Sequence, residues 1–285
     1  AAPERQKLVQ VDIDGSILGN IRPTDLAVQA DVGVVLDAVN ARLRGHRPDD
    51  SWLRGLRSEC AERRRQLDKK HVDHAAMPMR TAVVPGICQQ VLGDDAIVVL
   101  DGGNTAVWGT FFTEVRRPNS VLTTPKMGML GAGCSQPLAA KIAHPDRPVY
   151  CILGDGAMGF HPQEIETAVR NHLPVIWLVV CDRQWGMVKI NQQFALKPIK
   201  TLIKGTLSPE ETINADLGEI QFDVLARSMG AHGERVSDPA GLEGALRRSV
   251  ASKLPSVIHL DVDPVKHLWA PHLKTFKDMH QEPAG

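Results

Sequence analysis

"PVYCILGDGAMGF" spans residues 148–160, and its apolar run ends on a glycine–aspartate–glycine turn. A second apolar run, "PVIWLVVCD" (174–182), ends in the same way on Asp182. Continuous apolar runs of this length are typical of strands that are buried on both faces. If the two strands are parallel neighbours, their ends lie about 4.8 Å apart, so that Asp155 and Asp182 meet at one edge. Carboxylate oxygens so placed predict a site for a hard cation such as Mg²⁺.

The same alternation of strands and helices continues on both sides of this stretch. The pattern predicts strands over residues 96–103, 120–125, 148–156, 174–182, 231–236 and 256–263. It predicts helices over residues 79–92, near 135–144, and over 162–171, 216–230 and 238–252, with a long connection over 189–218. Apolar strands that alternate with amphipathic helices indicate an α/β fold with a doubly wound, mainly parallel sheet and helices on both faces.

The N-terminal part of the chain has a different character. "KLVQVDID" (7–14) predicts a strand and "DVGVVLDAVNARL" (31–43) predicts a helix, and one strand with one helix cannot bury a core. We therefore interpret residues 1–45 as the C-terminal part of an incomplete domain. Residues 46–77 form a charged helical linker in this interpretation, residues 78–265 form the main domain, and residues 266–285 form a C-terminal tail or lid.

Composition excludes several classes of partner. The 285 residues include 33 basic and 33 acidic side chains, and this balance gives no reason to expect nucleic acid or an acidic membrane surface. No apolar stretch reaches the roughly 18 residues of a membrane span. The five cysteines form no CxxC pair, so neither a zinc site nor a redox dithiol is indicated. We expect reduced thiols in a cytoplasmic protein.

Three further motifs fall at the predicted edge of the sheet. "DGGNT" (101–105) ends a buried strand, "GMLGAG" (128–133) precedes a helix, and "CDRQWGM" (181–187) continues from the second acidic strand end. A lone GDG is usually an ordinary turn, but ligands of doubly wound sheets bind beyond the carboxyl ends of the strands. Gly154 and Gly156 would let the backbone approach an anion there.

Together these motifs resemble the diphosphate-binding half of the thiamine diphosphate enzymes in the acetolactate synthase, benzaldehyde lyase and 2-hydroxyacyl-CoA lyase group. The resemblance covers roughly residues 78–265 and, weakly, residues 7–43, which look like the end of that family's middle domain. It implies thiamine diphosphate and Mg²⁺ as cofactors, and a small-molecule 2-oxo acid or 2-hydroxyacyl substrate. It also implies a homodimer or tetramer.

The resemblance assigns roles to individual residues. Asp155 and Asp182 would ligate the metal through their carboxylates, and Gln184 would do so through its backbone carbonyl. Leu130 matches the bulky residue that wedges between the two rings of the cofactor and keeps it bent, which is the one catalytic role assigned here. The positions that match cofactor contacts are Asn104, Thr105, Gly128, Met129, Leu130, Gly154, Gly156, Ala157, Met158, Trp185, Gly186 and Met187.

This sequence departs from the family in two ways. Asp182 stands where the family usually has a neutral asparagine, which adds a negative charge beside an anionic diphosphate; Arg183 and Lys189 are the nearby candidates to compensate it. The activating glutamate of the family belongs to a separate pyrimidine-binding domain, and no glutamate of this chain matches it. We therefore expect a pyrimidine-binding domain on another chain or on a further segment.

The leading hypothesis is a thiamine diphosphate- and Mg²⁺-dependent carbon–carbon lyase or synthase. A non-catalytic or regulatory homologue that keeps the fold is the alternative from another class. A dinucleotide-binding domain built on "GMLGAG" (128–133) is weaker, because no GxGxxG follows a clean strand. The histidines of "KHLWAPHLK" (266–274) belong either to a lid over the site or to an ordinary docked tail.

Overall fold

The computed structural model describes residues 6–47, 49–124 and 128–273. These residues divide into two compact units, Ala1–Arg63 and Arg64–Gly285. The predicted tail (266–285) therefore lies partly outside the described residues, as do the end of the predicted strand 120–125 and the residues just before Gly128. The domain boundaries given above stay a prediction.

The first unit is small. Its parallel strands are β1 (Val9–Asp12) and β2 (Leu26–Gln29), and its helix α1 (Val32–Arg42) begins after Asp31, whose carboxylate accepts a hydrogen bond from the Val34 amide at 3.2 Å. The predicted strand and helix are thus confirmed, whereas β2 was not predicted. Helix α2 (Asp50–His71) begins in this unit. No described residue of the unit is fully buried.

The second unit contains a six-stranded sheet in which every pair is parallel, in the order β4-β3-β5-β6-β8-β7. Its strands are β3 (Ile97–Leu100), β4 (Val121–Thr123), β5 (Val149–Gly154), β6 (Ile176–Cys181), β7 (His232–Val236) and β8 (Ser256–Asp261). The predicted fold class is confirmed. Because β4 and β5 lie on opposite sides of β3, the connections diverge between β3 and β5, and this is where doubly wound sheets bind ligands.

Helices cover both faces of this sheet. They are α3 (Val84–Leu92), α4 (Asn104–Phe112), α5 (Ala132–Ala143), α6 (Asp155–Met158), α7 (Glu164–Arg170), α8 (Gly186–Leu196), α9 (Pro198–Lys204), α10 (Phe222–Ser228), α11 (Pro239–Ser252) and α12 (Pro264–Leu268). No described helix has the length and apolar character needed to cross a membrane.

Side chains that alternate along the strands build one apolar core on each face. Ile152 and Leu178 point into the core formed with α3 and α11. Cys151 and Trp177 point into the opposite core, formed with α5, α7 and α10. Trp177 is fully buried, and its indole Nε1 donates a hydrogen bond to the Gly133 carbonyl at 3.0 Å. Packing in these two cores holds β5 and β6 side by side, so that their carboxyl ends lie at the same edge of the sheet.

Two parts of the predicted pattern were wrong. Residues 189–218 are not a simple connection, since they contain most of α8 and all of α9. A proline at the first turn of α9 divides the two helices and hides the periodicity. The helix predicted over 216–230 begins only at Phe222, because Asp216 pairs with Gln184 as an antiparallel bridge.

Candidate functional site

The two acidic strand ends meet as the sequence predicts. Gly154 at the end of β5 is in register with Val180 of β6, so Asp155 and Asp182 extend from the same edge of the sheet. Each of the two aspartates is only 8% exposed. Two carboxylates are thus withdrawn from water side by side.

Asp155 is held by backbone groups. Its Oδ1 accepts a hydrogen bond from the Gly156 amide and its Oδ2 accepts one from the Arg183 amide, both at 2.7 Å. Burial raises the pKa of Asp155 to about 6, although these hydrogen bonds oppose the shift. The carboxylate is therefore oriented but not neutralised.

Asp182 is the less satisfied of the pair. Its Oδ2 is buried and has no hydrogen-bond partner. Burial and the neighbouring charge of Asp155 raise the pKa of Asp182 well above its usual range. His267 Nε2 lies 3.9 Å from that oxygen, but burial lowers the pKa of His267 to about 3, so this imidazole is neutral at pH 7. A bound cation would remove the electrostatic strain between the two acids.

The nearby basic side chains have other partners. The Lys189 ammonium is buried and forms an ion pair with Asp216. The Arg183 guanidinium lies 3.6 Å from a carboxylate oxygen of Glu219. Neither side chain forms an ion pair with Asp182, so the two candidates from the sequence do not compensate its charge by direct contact.

A polar cradle lies opposite these acids, where α4 begins after β3. Asn104 Nδ2 donates to the Leu268 carbonyl at 3.1 Å, whereas its Oδ1 is buried without a hydrogen-bond partner. A methyl group placed on Gly186 would lie 2.7 Å from Asn104 Nδ2, and one placed on Gly154 would lie 3.1 Å from Thr105 Oγ1. The glycines therefore keep this polar surface open.

Gly156 has a separate packing role. A Cβ atom at this position would lie 2.5 Å from Cζ3 of the Trp185 ring. Real side chains do not approach this closely, so the indole can lie against the turn only because residue 156 is glycine.

Most of the predicted site residues line one narrow cleft of about 80 Å³. They are Asn104, Thr105, Leu130, Gly154, Asp155, Gly156, Ala157, Asp182, Gln184, Trp185, Gly186 and Met187. Three others do not line it: Gly128 lies at a turn with a φ of 60°, Met129 is 54% exposed, and Met158 is fully buried, with its sulfur 3.7 Å from Cys134 Sγ. The cleft encloses only part of a molecule of cofactor size, since sites for such ligands typically measure about 300–1,000 Å³.

Four further residues line the cleft without having been assigned: Gly102, Gly103, Val188 and His267. The two glycines belong to the "DGGNT" motif (101–105), so their place at the site was visible in the sequence. A Cβ at Gly102 would lie 3.2 Å from the Gly154 amide nitrogen, so the turns after β3 and β5 touch. His267 comes from α12, within the stretch that the sequence predicts to be a lid over the site or a docked tail.

The segment around His267 is docked against the site. His267 Nδ1 lies 2.7 Å from Thr81 Oγ1, and its Nε2 lies 3.3 Å from Thr105 Oγ1. Trp108 Nε1 donates to the His267 carbonyl at 2.8 Å, and Trp269 Nε1 donates to the Gly205 carbonyl at 2.7 Å. These contacts dock the segment, and because His267 also lines the cleft, both the docked tail and the lid over the site stay predictions.

The turn after β6 is fixed by a short backbone bridge. The Leu217 amide donates to the Arg183 carbonyl and the Trp185 amide donates to the Ala215 carbonyl, both at 2.8 Å. The side chain of Gln184, between these bonds, donates to the Pro264 carbonyl at 2.9 Å. The bridge therefore sets the position of the Gln184 backbone beside the two aspartates.

These residues fit a hard cation that shares its coordination with an anionic ligand. Among the described residues no group of three or more His, Cys, Asp or Glu side chains could hold a metal. Mg²⁺, however, usually takes one or two carboxylates and completes its shell with water and substrate phosphates. The unpartnered oxygens of Asp182 and Asn104 at one cleft agree with such a ligand set.

Comparison with known proteins identifies the class. The family described as thiamine pyrophosphate enzyme, C-terminal TPP binding domain, matches residues 101–260, which is more than half of the chain. The chain therefore belongs to the thiamine pyrophosphate enzymes, and the resemblance stated from the motifs is confirmed.

The curated relatives include two kinds of enzyme. The chain is 29% identical over 245 residues to a probable acetolactate synthase of Mycobacterium bovis, an alignment that covers 85% of the chain and 42% of that relative. It is 26% identical over 266 residues to the acetolactate synthase isozyme 2 large subunit of Escherichia coli (92% and 44% covered). It is 30% identical over 221 residues to 2-hydroxyacyl-CoA lyase 2 of Caenorhabditis elegans (75% and 32% covered). The chain spans less than half the length of these relatives.

Proposed function

We propose that this chain supplies the diphosphate- and metal-binding half of a thiamine diphosphate- and Mg²⁺-dependent carbon–carbon lyase or synthase. The substrate would be a 2-oxo acid or a 2-hydroxyacyl compound, in keeping with relatives named acetolactate synthase and 2-hydroxyacyl-CoA lyase. A pyrimidine-binding domain on another chain or segment would complete the site, in a homodimer or tetramer.

One observation carries the proposal. Asp155 and Asp182 are buried together at the carboxyl ends of the neighbouring strands β5 and β6. No described Lys or Arg side chain forms an ion pair with either of them, and His267, whose Nε2 lies 3.9 Å from Asp182 Oδ2, is neutral. Buried carboxylates without compensation are unfavourable in a purely structural role. A divalent cation that is shared with a diphosphate removes that penalty.

The residues of the chain would bind and orient the cofactor. Asp155, Asp182 and the backbone carbonyl of Gln184 would hold Mg²⁺, while Asn104 and Thr105 would bind the diphosphate. Of the other predicted cofactor contacts, those that line the cleft would form the surrounding wall: Gly154, Gly156, Ala157, Trp185, Gly186 and Met187.

Leu130 is partly buried against the core, lines the cleft, and would keep the cofactor bent. When bound, thiamine diphosphate supplies an electron sink for breaking or forming a bond next to a carbonyl. The contribution of this chain is positioning and electrostatic stabilisation.

Calorimetric titration of thiamine diphosphate into the purified chain, with and without Mg²⁺, tests the proposal. We expect saturable binding that requires the metal. A matched pair of variants sharpens the experiment: Asp155→Asn should weaken metal-dependent binding, whereas Asp146→Asn, at an exposed position outside the cleft, should leave it unchanged.

Absence of binding in excess Mg²⁺ would contradict the proposal and favour the non-catalytic homologue. Binding of equal strength without the metal would contradict the metal assignment alone, because the cradle of Asn104 and Thr105 would then suffice.

A further inference from the structure

A second pocket lies beside the cleft, at the carboxyl ends of β6 and β8. Its volume is about 380 Å³. An apolar cavity of roughly 150 Å³ is already sufficient to bind benzene. The apolar side chains that line the pocket are Phe160, Trp185, Leu217, Ile220 and Phe222. The pocket is thus large enough for a ring-containing molecule and has mainly apolar walls.

The Trp185 ring separates this pocket from the cleft. Trp185, Asp155 and Gly156 line both spaces, whereas Phe160 and Ile220 line only the second pocket. The indole packs against Gly156 and so forms a wall between the two. The second pocket can therefore hold a ligand of its own while the diphosphate cleft is occupied.

His259 provides a polar group within this apolar pocket. The residue is 1% exposed, and neither of its ring nitrogens has a hydrogen-bond partner. The nearest carboxylate oxygen, Oδ1 of Asp261, lies 3.4 Å from Nε2, but Asp261 is already held by both ends of the Arg235 guanidinium. Buried imidazole nitrogens are rarely left unpaired, so this arrangement points to a ligand atom that His259 would contact.

The charge around the pocket limits the kind of ligand. Asp155 and Glu219 line it, and Asp223 and Asp261 act on His259 from the neighbouring elements. The Arg183 and Arg235 guanidinium groups lie near Glu219 and are engaged by it. Because the guanidinium groups are already paired and two carboxylates line the pocket, the pocket disfavours an anionic ligand. Burial lowers the pKa of His259, so its neutral ring offers one N–H donor and one acceptor nitrogen.

We propose that this pocket binds a neutral, mainly apolar ring compound that carries one hydroxyl or similar group, with that group hydrogen-bonded to His259. The apolar ring would contact the side chains of Trp185 and Phe222, and the ring of Phe222 already lies 6.2 Å from that of His259. This inference rests on the second pocket and is independent of the chemistry proposed for the cleft.

Phenol and toluene are suitable probes, because they have nearly the same shape and differ in one hydroxyl group. Titration of each into the intact chain, followed by calorimetry and by the imidazole NMR signals of His259, should show saturable binding of phenol about fivefold tighter than that of toluene, as one net hydrogen bond implies. In His259→Phe the two probes should bind equally.

A second variant keeps the test decisive if His259→Phe does not fold. Ile220 is 49% exposed, so Ile220→Trp should be tolerated while it fills the pocket, and it should abolish binding of both probes. The proposal is overturned if phenol does not saturate, if phenol and toluene bind the unmodified chain equally, or if Ile220→Trp binds phenol normally. Competition between phenol and Mg²⁺-thiamine diphosphate would place phenol in the cleft and would also overturn it.

Discussion

The change Asp182→Asn separates the repulsion between the two buried carboxylates from their use in binding a cation. Asparagine has nearly the same shape as aspartate, so packing around β6 should be preserved. What changes is one negative charge at a position where the carboxylate is 8% exposed and where its Oδ2 has no partner.

The size of the effect follows from the position of the two acids. The strand ends that carry them are neighbours, with a lateral spacing of about 4.8 Å, and we take about 5 Å as the separation of the two charges. At an effective dielectric constant of about 20, two unit charges at that distance repel by about 3 kcal/mol. Because the pKa values of both acids are raised, the full repulsion is present only when both are ionised. At pH 8.5 we therefore expect the metal-free variant to be more stable than the parent by up to about 3 kcal/mol.

The assay is urea unfolding at pH 8.5, in EDTA and in excess Mg²⁺. A ligand that binds the native state and not the unfolded state stabilises the protein. Magnesium should therefore stabilise the parent chain more than Asp182→Asn, which lacks one of the two carboxylates proposed to bind it. Asp146→Asn, at an exposed position, should change stability by no more than about 0.5 kcal/mol in either solution. The reasoning is refuted if Asp182→Asn lowers stability in EDTA, or if Mg²⁺ stabilises the parent and the variant equally.

Three further predictions concern other parts of the unit. Gly156→Ala should lower the free energy of unfolding by about 1–3 kcal/mol, because the added Cβ would displace the Trp185 ring. Gly86→Ala is the control, since its added Cβ has no close neighbour and should not lower the free energy of unfolding. Equal effects of the two variants in denaturant titrations would contradict this account. The pKa of His267 falls to about 3 on folding, so the native state binds fewer protons than the unfolded state between about pH 6.5 and 3, and stability falls with falling pH. His267→Gln should lose less stability than the parent between pH 7 and 5 in urea titrations, and parallel curves would exclude this role. Of the five thiols only Cys60 is exposed. A thiol reagent at pH 8 should therefore modify Cys60 rapidly and should modify the buried thiols only when the protein unfolds. Rapid reaction of a second thiol in the folded protein would be inconsistent with the packing.

The class of the sheet and the acidic residues at its carboxyl edge follow from the amino-acid sequence alone. Strands buried on both faces require continuous apolar runs, and such runs are visible in "VYCIL" and "VIWLVV" without any knowledge of their partners. The acids that follow them must lie at the carboxyl ends because the strands are parallel. For this reason the sequence alone is sufficient to assign Asp155, Asp182 and the "DGGNT" motif to one site.

Which groups surround that edge depends on the packing of segments that are distant in the sequence. The contact of His267 with Thr81 and Thr105 joins residues more than 160 positions apart, and the stretch "KHLWAPHLK" (266–274) does not by itself show which residues it contacts. Lys189 lies close in sequence to Asp182 but pairs with Asp216, because the backbone bridge at Gln184 brings residue 216 alongside. Local sequence fixes periodicity and turns, whereas the partner of a charge depends on which distant segments pack together. The positions of His267, Asp216 and His259 could therefore be read only from the fold.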